Sequence, residues 1–438
     1  MILAHKIALD PTIEQSRHFA RAAGVTRFAW NWALQTWQDE YKDGGKPSVA
    51  KIKAKWNAVR RAEFPWSYEV TKCSSGQAII NLGVAFSNFF RDLKKPKGAR
   101  KARYPKFKKK GQRDSFTLWN DQFEVRAVTG RFGKDRGEIR IPNLGWVRMR
   151  EPLSVAGRVL GAVVGRDGNG WAVAIQCEQP DAETAHPNSG TVVGVDLGIT
   201  HLISLSRPLP DGRTKIENPK PLRKAMRRVK KLARKCSRQE EVRKKRNAKT
   251  SRRAKARRGK LAKLHRRVAN IRRDTIHKAT TAVVNAFETI VIEALNVAGM
   301  VKNHALAGAL HDAAFGEIRR QVEYKAPIRG GHVKVADRFF PSSKTCSACG
   351  HVMAKLPLHV RGWTCPACGM IHDRDENASF NLENLVVRPA WPEPSLGDPA
   401  TTHGEIAALA DAQAAVKQWS VNRELNPCAL VRTKLGSR

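Results

Sequence analysis

The first hundred residues follow one strand pattern and then helical patterns. Residues 2–9 alternate between apolar and polar positions, and Asp10-Pro11-Thr12 then predicts a helix start. Residues 75–93 form a further helical segment that is too apolar to stand free. We therefore expect a helical lobe over residues 11–104. Its aromatic residues recur at helical spacings, which is more typical of a core than of a base-stacking surface: Phe28, Trp30, Trp32, Trp37, Tyr41, Trp56 and Trp66.

Short alternating runs take over after the helical lobe. They predict strands at residues 137–141, 145–149, 159–164 and 171–177. The turn Asp167-Gly168-Asn169-Gly170 joins the last two as a hairpin. Residues 105–185 are thus expected to form a small β-barrel or sandwich, which the strand at residues 1–10 completes.

Two later strands each carry one acid inside an apolar run. Residues 191–206 read TVVGVDLGITHLISLS, a buried hairpin with Asp196, and residues 288–297 read ETIVIEALNV, a strand with Glu293. A lone buried aspartate can simply be hydrogen-bonded. Ionised carboxylates in apolar strands, however, usually have a cation or metal partner, because burying an unpaired charge is costly.

The net charge is the strongest compositional signal. The chain has 438 residues with 80 Lys and Arg against 39 Asp and Glu, which gives +41. Residues 220–273 hold 26 of these cations and two acids, or +24, in a pattern that predicts a basic helical hairpin. Such a charge favours nucleic acid as the partner. A membrane is not expected, because no apolar run approaches 18 residues and no signal peptide is visible, so we expect a cytoplasmic, nucleoid-associated prokaryotic protein.

A second basic segment lies at residues 94–113, where Tyr104 and Phe107 stand among cations. Simple solvation would explain the charge, but interleaved aromatic residues suit a phosphate-lined channel with a stacking surface. Eight residues from this segment and the basic hairpin are our expected nucleic-acid contacts: Tyr104, Lys106, Lys108, Lys109, Lys110, Arg227, Arg228 and Lys231.

Four cysteines predict a structural zinc site. Cys346-x2-Cys349 and Cys365-x2-Cys368 are separated by fifteen residues, the spacing of two metal-binding knuckles. A glycine follows each second cysteine and permits the tight turn that a knuckle needs. Disulfides are the alternative, but a chain without a signal peptide favours Zn²⁺. Four thiolates leave no open coordination position, so this site is expected to support the fold.

An acidic cluster follows the cysteines and supplies a third candidate acid. Residues 372–377 read HDRDEN and open a helical run. An aspartate at a helix start is more often a cap than a ligand. Together with Asp196 and Glu293, however, Asp375 completes a set of hard oxygen ligands that suits Mg²⁺ or Mn²⁺. Two such ions support phosphodiester hydrolysis.

These segments resemble the TnpB proteins, transposon-encoded relatives of the miniature type V CRISPR nucleases. The resemblance rests on GVDLGI, VIEALN, FPSSKTCSACG, WTCPACG and DRDENASFNL in this order. It implies an α/β multidomain protein with a RuvC-like nuclease domain of the ribonuclease H fold, interrupted by a zinc ribbon and preceded by a wedge β-barrel with a helical recognition lobe. The implied bounds are residues 1–10 and 105–185 for the wedge, 11–104 for the recognition lobe, 190–340 and 371–388 for the nuclease domain with the basic hairpin, 341–370 for the ribbon and 389–438 for a flexible tail.

The resemblance also implies a function. A TnpB protein uses a guide RNA to find matching double-stranded DNA beside a short motif and cuts it with divalent metal. By the family motif, Asp375 is the catalytic acid beside Asp196 and Glu293, whereas Asp373 is expected to cap the helix. Three alternatives share parts of this pattern: a miniature type V CRISPR effector, a DNA-strand transposase and a cleavage-inactive RNA-guided DNA-binding protein. The order of acids and ribbon disfavours the transposase, and the presence of all three acids disfavours the inactive protein.

Overall fold

The computed structural model describes residues 2–129, 135–168, 170–179, 185–357 and 359–388, which fall into two compact units. The first unit holds the described residues up to 179 and the second holds those from 185 onward. The predicted flexible tail, residues 389–438, lies outside the described residues. Every helix within the described ranges is too short or too polar to cross a lipid bilayer.

Three helices of the first unit pack around an aromatic core. They are α1 (Ile13–Lys42), α2 (Val49–Glu63) and α3 (Cys73–Leu93). The predicted helix start is confirmed, because Thr12 and Gln15 form a reciprocal capping box. The core interpretation of the aromatic residues holds for most of them, including Trp56, which is 1% exposed. Tyr41 and Trp66 are the exceptions, at 72% and 41% exposed.

A seven-stranded antiparallel sheet forms the rest of the first unit. Its strands are β1 (Ile2–Leu9), β2 (Ser115–Trp119), β3 (Glu124–Thr129), β4 (Asp135–Ile141), β5 (Gly145–Met149), β6 (Arg158–Asp167) and β7 (Gly170–Glu178). Their order is β2-β6-β7-β1-β5-β4-β3, so the first strand completes the sheet as expected. Among the described residues no ladder joins β2 to β3, so closure into a barrel stays a prediction.

The second unit contains a five-stranded mixed sheet. Its strands are β8 (Val192–Asp196), β9 (His201–Leu205), β10 (Lys215–Glu217), β11 (Thr289–Glu293) and β12 (His332–Ala336), in the order β10-β9-β8-β11-β12. The first three are antiparallel, whereas β8, β11 and β12 run parallel. The predicted buried hairpin and the strand that carries Glu293 are both present.

Helices cover both faces of this sheet. The helices of this unit are α4 (Pro221–Lys245), α5 (Arg252–Ala286), α6 (Val297–Met300), α7 (His304–Ala313), α8 (Phe315–Ile328) and α9 (Arg374–Val387), of which α4 packs on α5 and α7 and not on the sheet. Val195 and Ile292 belong to the same buried cluster as residues of α5 and α8. Val291 points to the opposite face and packs with Leu382 of α9. Alternate residues of each strand thus enter different cores, which explains the uninterrupted apolar runs in the sequence.

A buried acid of α7 anchors the predicted basic hairpin, α4 and α5. Asp312 accepts hydrogen bonds from the backbone N–H of Leu222 (2.8 Å) and Arg223 (2.9 Å) at the start of α4. The same carboxylate lies 3.3 Å from a guanidinium nitrogen of Arg272 on α5. Asp312 is 3% exposed, so it satisfies the helix terminus without meeting solvent.

Close packing of α9 on β8 generates the first prediction. A Cβ at Gly194 would lie 1.8 Å from the backbone oxygen of Ser379, so Gly194→Ala must separate the strand from the helix. We expect a loss of about 3 kcal/mol of unfolding free energy. Denaturant titration of Gly194→Ala measures this loss.

Gly308→Ala is the matched control, since a Cβ there has no neighbour within 4 Å and the residue lies in the helix α7. It should be neutral or stabilising by up to about 1 kcal/mol. Equal stability of the two variants would show that α9 does not depend on this contact.

Candidate active site and metal centre

Two of the candidate acids end neighbouring parallel strands. Val195 of β8 pairs in register with Ile292 of β11, and the next residues along the two strands are Asp196 and Glu293. The carboxyl ends of parallel strands meet at one edge of a sheet. The sheet register therefore sets these two acids side by side.

The third acid lies in the first turn of α9. Asp373 is the N-cap of this helix, and its Oδ1 accepts hydrogen bonds from the backbone N–H of Asp375 (3.0 Å) and Glu376 (3.1 Å). The cap interpretation of Asp373 is thus confirmed. Asp375 is left with a side chain that is not used for capping, and its Oδ1 lies 3.0 Å from Nη1 of Arg361 in the ribbon.

Asp196 lies close enough to Glu293 and Asp375 for their charges to act on it. Burial raises the pKa of Asp196 well above its usual range, and the nearby charges of Glu293 and Asp375 raise it further. Arg374 and Arg361 act in the opposite direction. Burial also raises the pKa of Glu293, although a hydrogen bond from the Ser342 hydroxyl partly offsets this. A cation bound beside Asp196 would favour its ionised form, which burial and the two neighbouring charges oppose.

Sequence reasoning missed the residues that support these acids. Ser342 donates its hydroxyl to Oε1 of Glu293, and Arg361 pairs with Asp375. Lys215 of β10 lies 2.9 Å from Glu376 Oε1 and 3.3 Å from Asp373 Oδ2, so it ties the sheet to the start of α9. Ser342 stands in the quoted motif FPSSK, but a lone Arg or Lys in so basic a chain gives no local signal.

The four predicted zinc ligands converge. The Sγ atoms of Cys346, Cys349, Cys365 and Cys368 all lie within 4.8 Å of one another. Gly350 and Gly369 adopt φ of 79° and 72°, the left-handed region that the knuckle turns require. The second knuckle lies between β13 (Gly362–Thr364) and β14 (Ile371–Asp373), which pair antiparallel.

A histidine beside the thiolates also escaped sequence analysis. His372 Nε2 lies 3.0 Å from Cys346 Sγ, and the ring contacts that of Trp363 at 4.7 Å between centroids. The side chain is 7% exposed. His372 lies in the acidic cluster, whose carboxylates predicted a site for oxygen-ligated metal ions. Its position beside the cysteines was therefore not predicted.

The candidate nucleic-acid contacts differ in their availability. Seven of the eight are exposed: Tyr104, Lys106, Lys109, Lys110, Arg227, Arg228 and Lys231. The ring of Tyr104 also packs against Phe86 and Phe89. Lys108 is different, because its Nζ lies 3.7 Å from the centroid of the Trp30 ring. Burial, with a smaller effect of Arg113, lowers the pKa of Lys108 to about 8. The Lys108 ammonium group therefore packs on the Trp30 ring and is less available to nucleic acid than the other seven candidates.

Family profiles match three parts of the chain. A profile described as a helix-turn-helix domain covers residues 1–46, which hold β1 and the single helix α1 in the structure. The OrfB/IS605 profile, described as a probable transposase, covers residues 174–304. A profile described as a Cas12f1-like TNB domain covers residues 315–382, which include the four cysteines and Asp375.

Curated relatives match over most of their length. A protein of Streptomyces pristinaespiralis named "Putative RNA-guided DNA endonuclease" is 35% identical over 385 residues, covering 86% of this chain and 88% of the relative. The Escherichia coli K12 protein named "Putative RNA-guided DNA endonuclease InsQ" is 30% identical, covering 86% and 91%. Among solved structures, the mini-RNA-guided endonuclease CRISPR-Cas_phi3 aligns with a TM-score of 0.46 at 10% sequence identity. The alignment covers 92% of this chain and 93% of that structure.

The thiolate cluster makes a second prediction. Parent protein should contain about one zinc per chain by atomic absorption, and Cys365→Ser should contain almost none, because three ligands hold zinc far less tightly than four. Cys236→Ser, at a half-buried cysteine outside the ribbon, is the control and should keep its zinc. Equal zinc in all three proteins would exclude the cluster as the binding site.

The acid cluster makes a third prediction, for protein that keeps its zinc but is prepared without Mg²⁺ or Mn²⁺. Because the folded-state pKa of Asp196 is raised, its ionised form destabilises the fold as pH rises through that value, and the effect is absent below about pH 4 where the carboxyl is protonated in both states. Asp196→Asn should therefore unfold at a temperature about 2–4 °C above the parent at pH 7.5, the shift produced by 1 kcal/mol. The difference should shrink as pH falls.

Calorimetry at several pH values measures this shift. Asp211→Asn is the control, since an exposed ion pair with Arg213 lowers the pKa of Asp211 and the variant should gain no stability. A metal-free Asp196→Asn protein that is less stable than the parent at pH 7.5 would contradict the account of the cluster.

Proposed function

Since the chain belongs to the TnpB family of transposon-encoded proteins, we propose that it is an RNA-guided DNA endonuclease. It binds double-stranded DNA that matches a guide RNA and lies beside a short adjacent motif, and it hydrolyses phosphodiester bonds with divalent metal. The observation that carries this proposal is the arrangement of three acids that are 97 and then 82 residues apart in sequence. Asp196 and Glu293 end adjacent parallel strands, and Asp375 lies in the first turn of the helix that packs on β8.

The topology of the second unit supports a RuvC-like nuclease domain. Three antiparallel strands continue into two parallel ones, with helices on both faces, as expected for the ribonuclease H fold that the resemblance implies. We assign this domain to residues 190–340 and 371–388, and the zinc ribbon to 341–370. In the first unit, residues 1–10 and 105–185 would be the wedge and residues 11–104 the recognition lobe.

The acid site fits Mg²⁺ or Mn²⁺. Its donors are carboxylate oxygens, the ligands that these ions prefer. Burial and then the charges of Glu293 and Asp375 raise the pKa of Asp196, and a bound cation would offset both effects. When bound, such ions activate water and stabilise the leaving oxygen of a phosphodiester. The rigid strands β8 and β11 hold two of the acids, and the capped first turn of α9 holds the third.

The cysteine site fits Zn²⁺. Two sulfur pairs, Cys346 with Cys368 and Cys349 with Cys365, are each 3.6 Å apart. A regular tetrahedron with Zn–S bonds of about 2.3 Å places its sulfurs about 3.8 Å apart, close to the spacing of these two pairs. The other sulfur separations are within 4.8 Å, so the four thiolates can close on one ion with small movements. Since all four positions are filled by protein, the ion would stabilise the ribbon and take no part in hydrolysis.

The basic hairpin is the proposed main site for the nucleic-acid backbone. Val229 and Val268 are buried, whereas Arg227, Arg228 and Lys231 face solvent on α4. Long cationic side chains on an anchored helix pair can follow a phosphate backbone without reading sequence. Base pairing between the guide RNA and the DNA would then recognise the target sequence.

The chemistry is tested by a matched pair of variants two residues apart. Asp375→Asn should lower guide-directed plasmid cleavage at least 100-fold, because it removes a charged ligand. Asp373→Asn should keep most of the activity, since asparagine is also a good N-cap. Gel-shift binding should survive in both, as it should in a cleavage-dead Asp196→Ala protein. Cleavage by Asp375→Asn together with failure of Asp373→Asn would show that Asp373 is the catalytic acid.

The interface is tested by the salt dependence of binding. Replacing Arg227, Arg228 and Lys231 together by Gln should reduce the slope of log affinity against log salt by about 2–3, at about 0.7–0.9 for each lost phosphate contact. A triple Gln variant at Lys278, Arg319 and Arg320 is the control, because acidic neighbours already pair with these cations. Equal slopes in both variants would place the nucleic acid elsewhere.

A further inference from the structure

The first zinc knuckle is hydrogen-bonded directly to the helix that carries Asp375. Asn377, two residues after this acid, accepts a hydrogen bond at Oδ1 from the backbone N–H of Ser347 (2.9 Å). Its Nδ2 donates to the backbone oxygen of Thr345 (2.7 Å). These two residues flank the zinc ligand Cys346. Asn377 is 1% exposed, so its amide faces the knuckle and not solvent.

A second asparagine repeats the contact one helical turn later. Nδ2 of Asn381 donates to the backbone oxygens of Thr345 (2.6 Å) and Ser342 (2.7 Å), and the residue is fully buried. Ser342 in turn donates its hydroxyl to Glu293. The segment that leads into Cys346 is therefore attached to α9 through two amides and to β11 through one hydroxyl.

These contacts link the two proposed metal sites in space. The thiolates determine the path of the knuckle backbone, and that backbone supplies the partners of both asparagines. If the knuckle loosens, Asn377 and Asn381 lose fixed partners in a buried place, where unpaired polar groups are costly. The start of α9 and the Ser342 hydroxyl would then shift together, and so would two of the three acids.

We propose that Asn377 is a positioning residue that couples the zinc knuckle to the divalent-metal site. The zinc-bound knuckle holds Asp375 and Glu293 in the arrangement that binds the divalent ions, and Asn377 transmits this constraint without contacting either metal. The inference rests on the proposed function, since it assumes a divalent site at the three acids. Loss of a supporting hydrogen bond of this kind typically weakens metal binding about 10- to 100-fold.

Calorimetric titration with Mn²⁺ tests the inference without relying on cleavage. Asn377→Ala should keep about one zinc per chain while its Mn²⁺ affinity at the acid site falls about 10- to 100-fold. Asn384→Ala is the control on the same helix, two turns beyond Asn377, because within the described residues its side chain makes no hydrogen bond to the ribbon. It should bind Mn²⁺ like the parent protein.

The outcomes separate this inference from the proposed function. Unchanged Mn²⁺ affinity in Asn377→Ala with zinc retained overturns the coupling but leaves the nuclease proposal intact, provided that Asp196→Ala has lost the site. Unchanged affinity in Asp196→Ala contradicts the divalent site itself, and the coupling fails with it.

A reciprocal measurement serves if Asn377→Ala folds poorly. Coupling of binding free energies between two sites acts equally in both directions, so Mg²⁺ should lower the amount of zinc that a zinc-selective chelator extracts from the parent protein at equilibrium. In Asp196→Ala, and in the uncharged polar variant Asn377→Ser, this protection should be lost or reduced. Zinc extraction from the parent that is indifferent to Mg²⁺ would overturn the inference.

Discussion

The second unit is organised by the convergence of three like-charged carboxylates at one edge of a sheet. Asp196 and Glu293 end adjacent parallel strands, and Asp375 reaches the same place from a helix packed across them. Burial raises the pKa of Asp196 and of Glu293, and the charges of Glu293 and Asp375 raise that of Asp196 further. This arrangement is costly for the metal-free chain, and a bound cation would lower that cost.

The surrounding structure restrains these acids from several directions. Gly194 lets α9 approach β8 closely, Asp373 caps the helix, and Lys215 joins its first turn to the sheet edge. The cysteine-bearing segment adds a further restraint. Its Arg361 contacts Asp375 and brings positive charge to this carboxylate. Through this contact the segment helps to hold the candidate acid site.

Much of this arrangement could be predicted, because short stretches of the sequence carry patterns that determine it. Apolar runs interrupted by Asp196 and Glu293 predicted two buried strands whose acids bind metal together. The paired Cys-x2-Cys motifs predicted four thiolates close enough to bind one ion. Comparison with curated relatives confirmed the family. Ser342, Arg361 and Asn377 were not found, because their partners lie 14 to 49 residues away and their residue types are common in loops and helices. Such contacts follow from the tertiary arrangement alone.

The central claim is that the three acids bind divalent ions beside a separate zinc site. Anomalous scattering from crystals grown with Mn²⁺ would test it most directly, because data at the manganese and zinc absorption edges distinguish the two metals. The account predicts manganese about 2.2 Å from carboxylate oxygens of Asp196, Glu293 and Asp375, with zinc among the four cysteine sulfurs. It would be contradicted by an acid cluster that holds no manganese, with Asp375 still paired to Arg361.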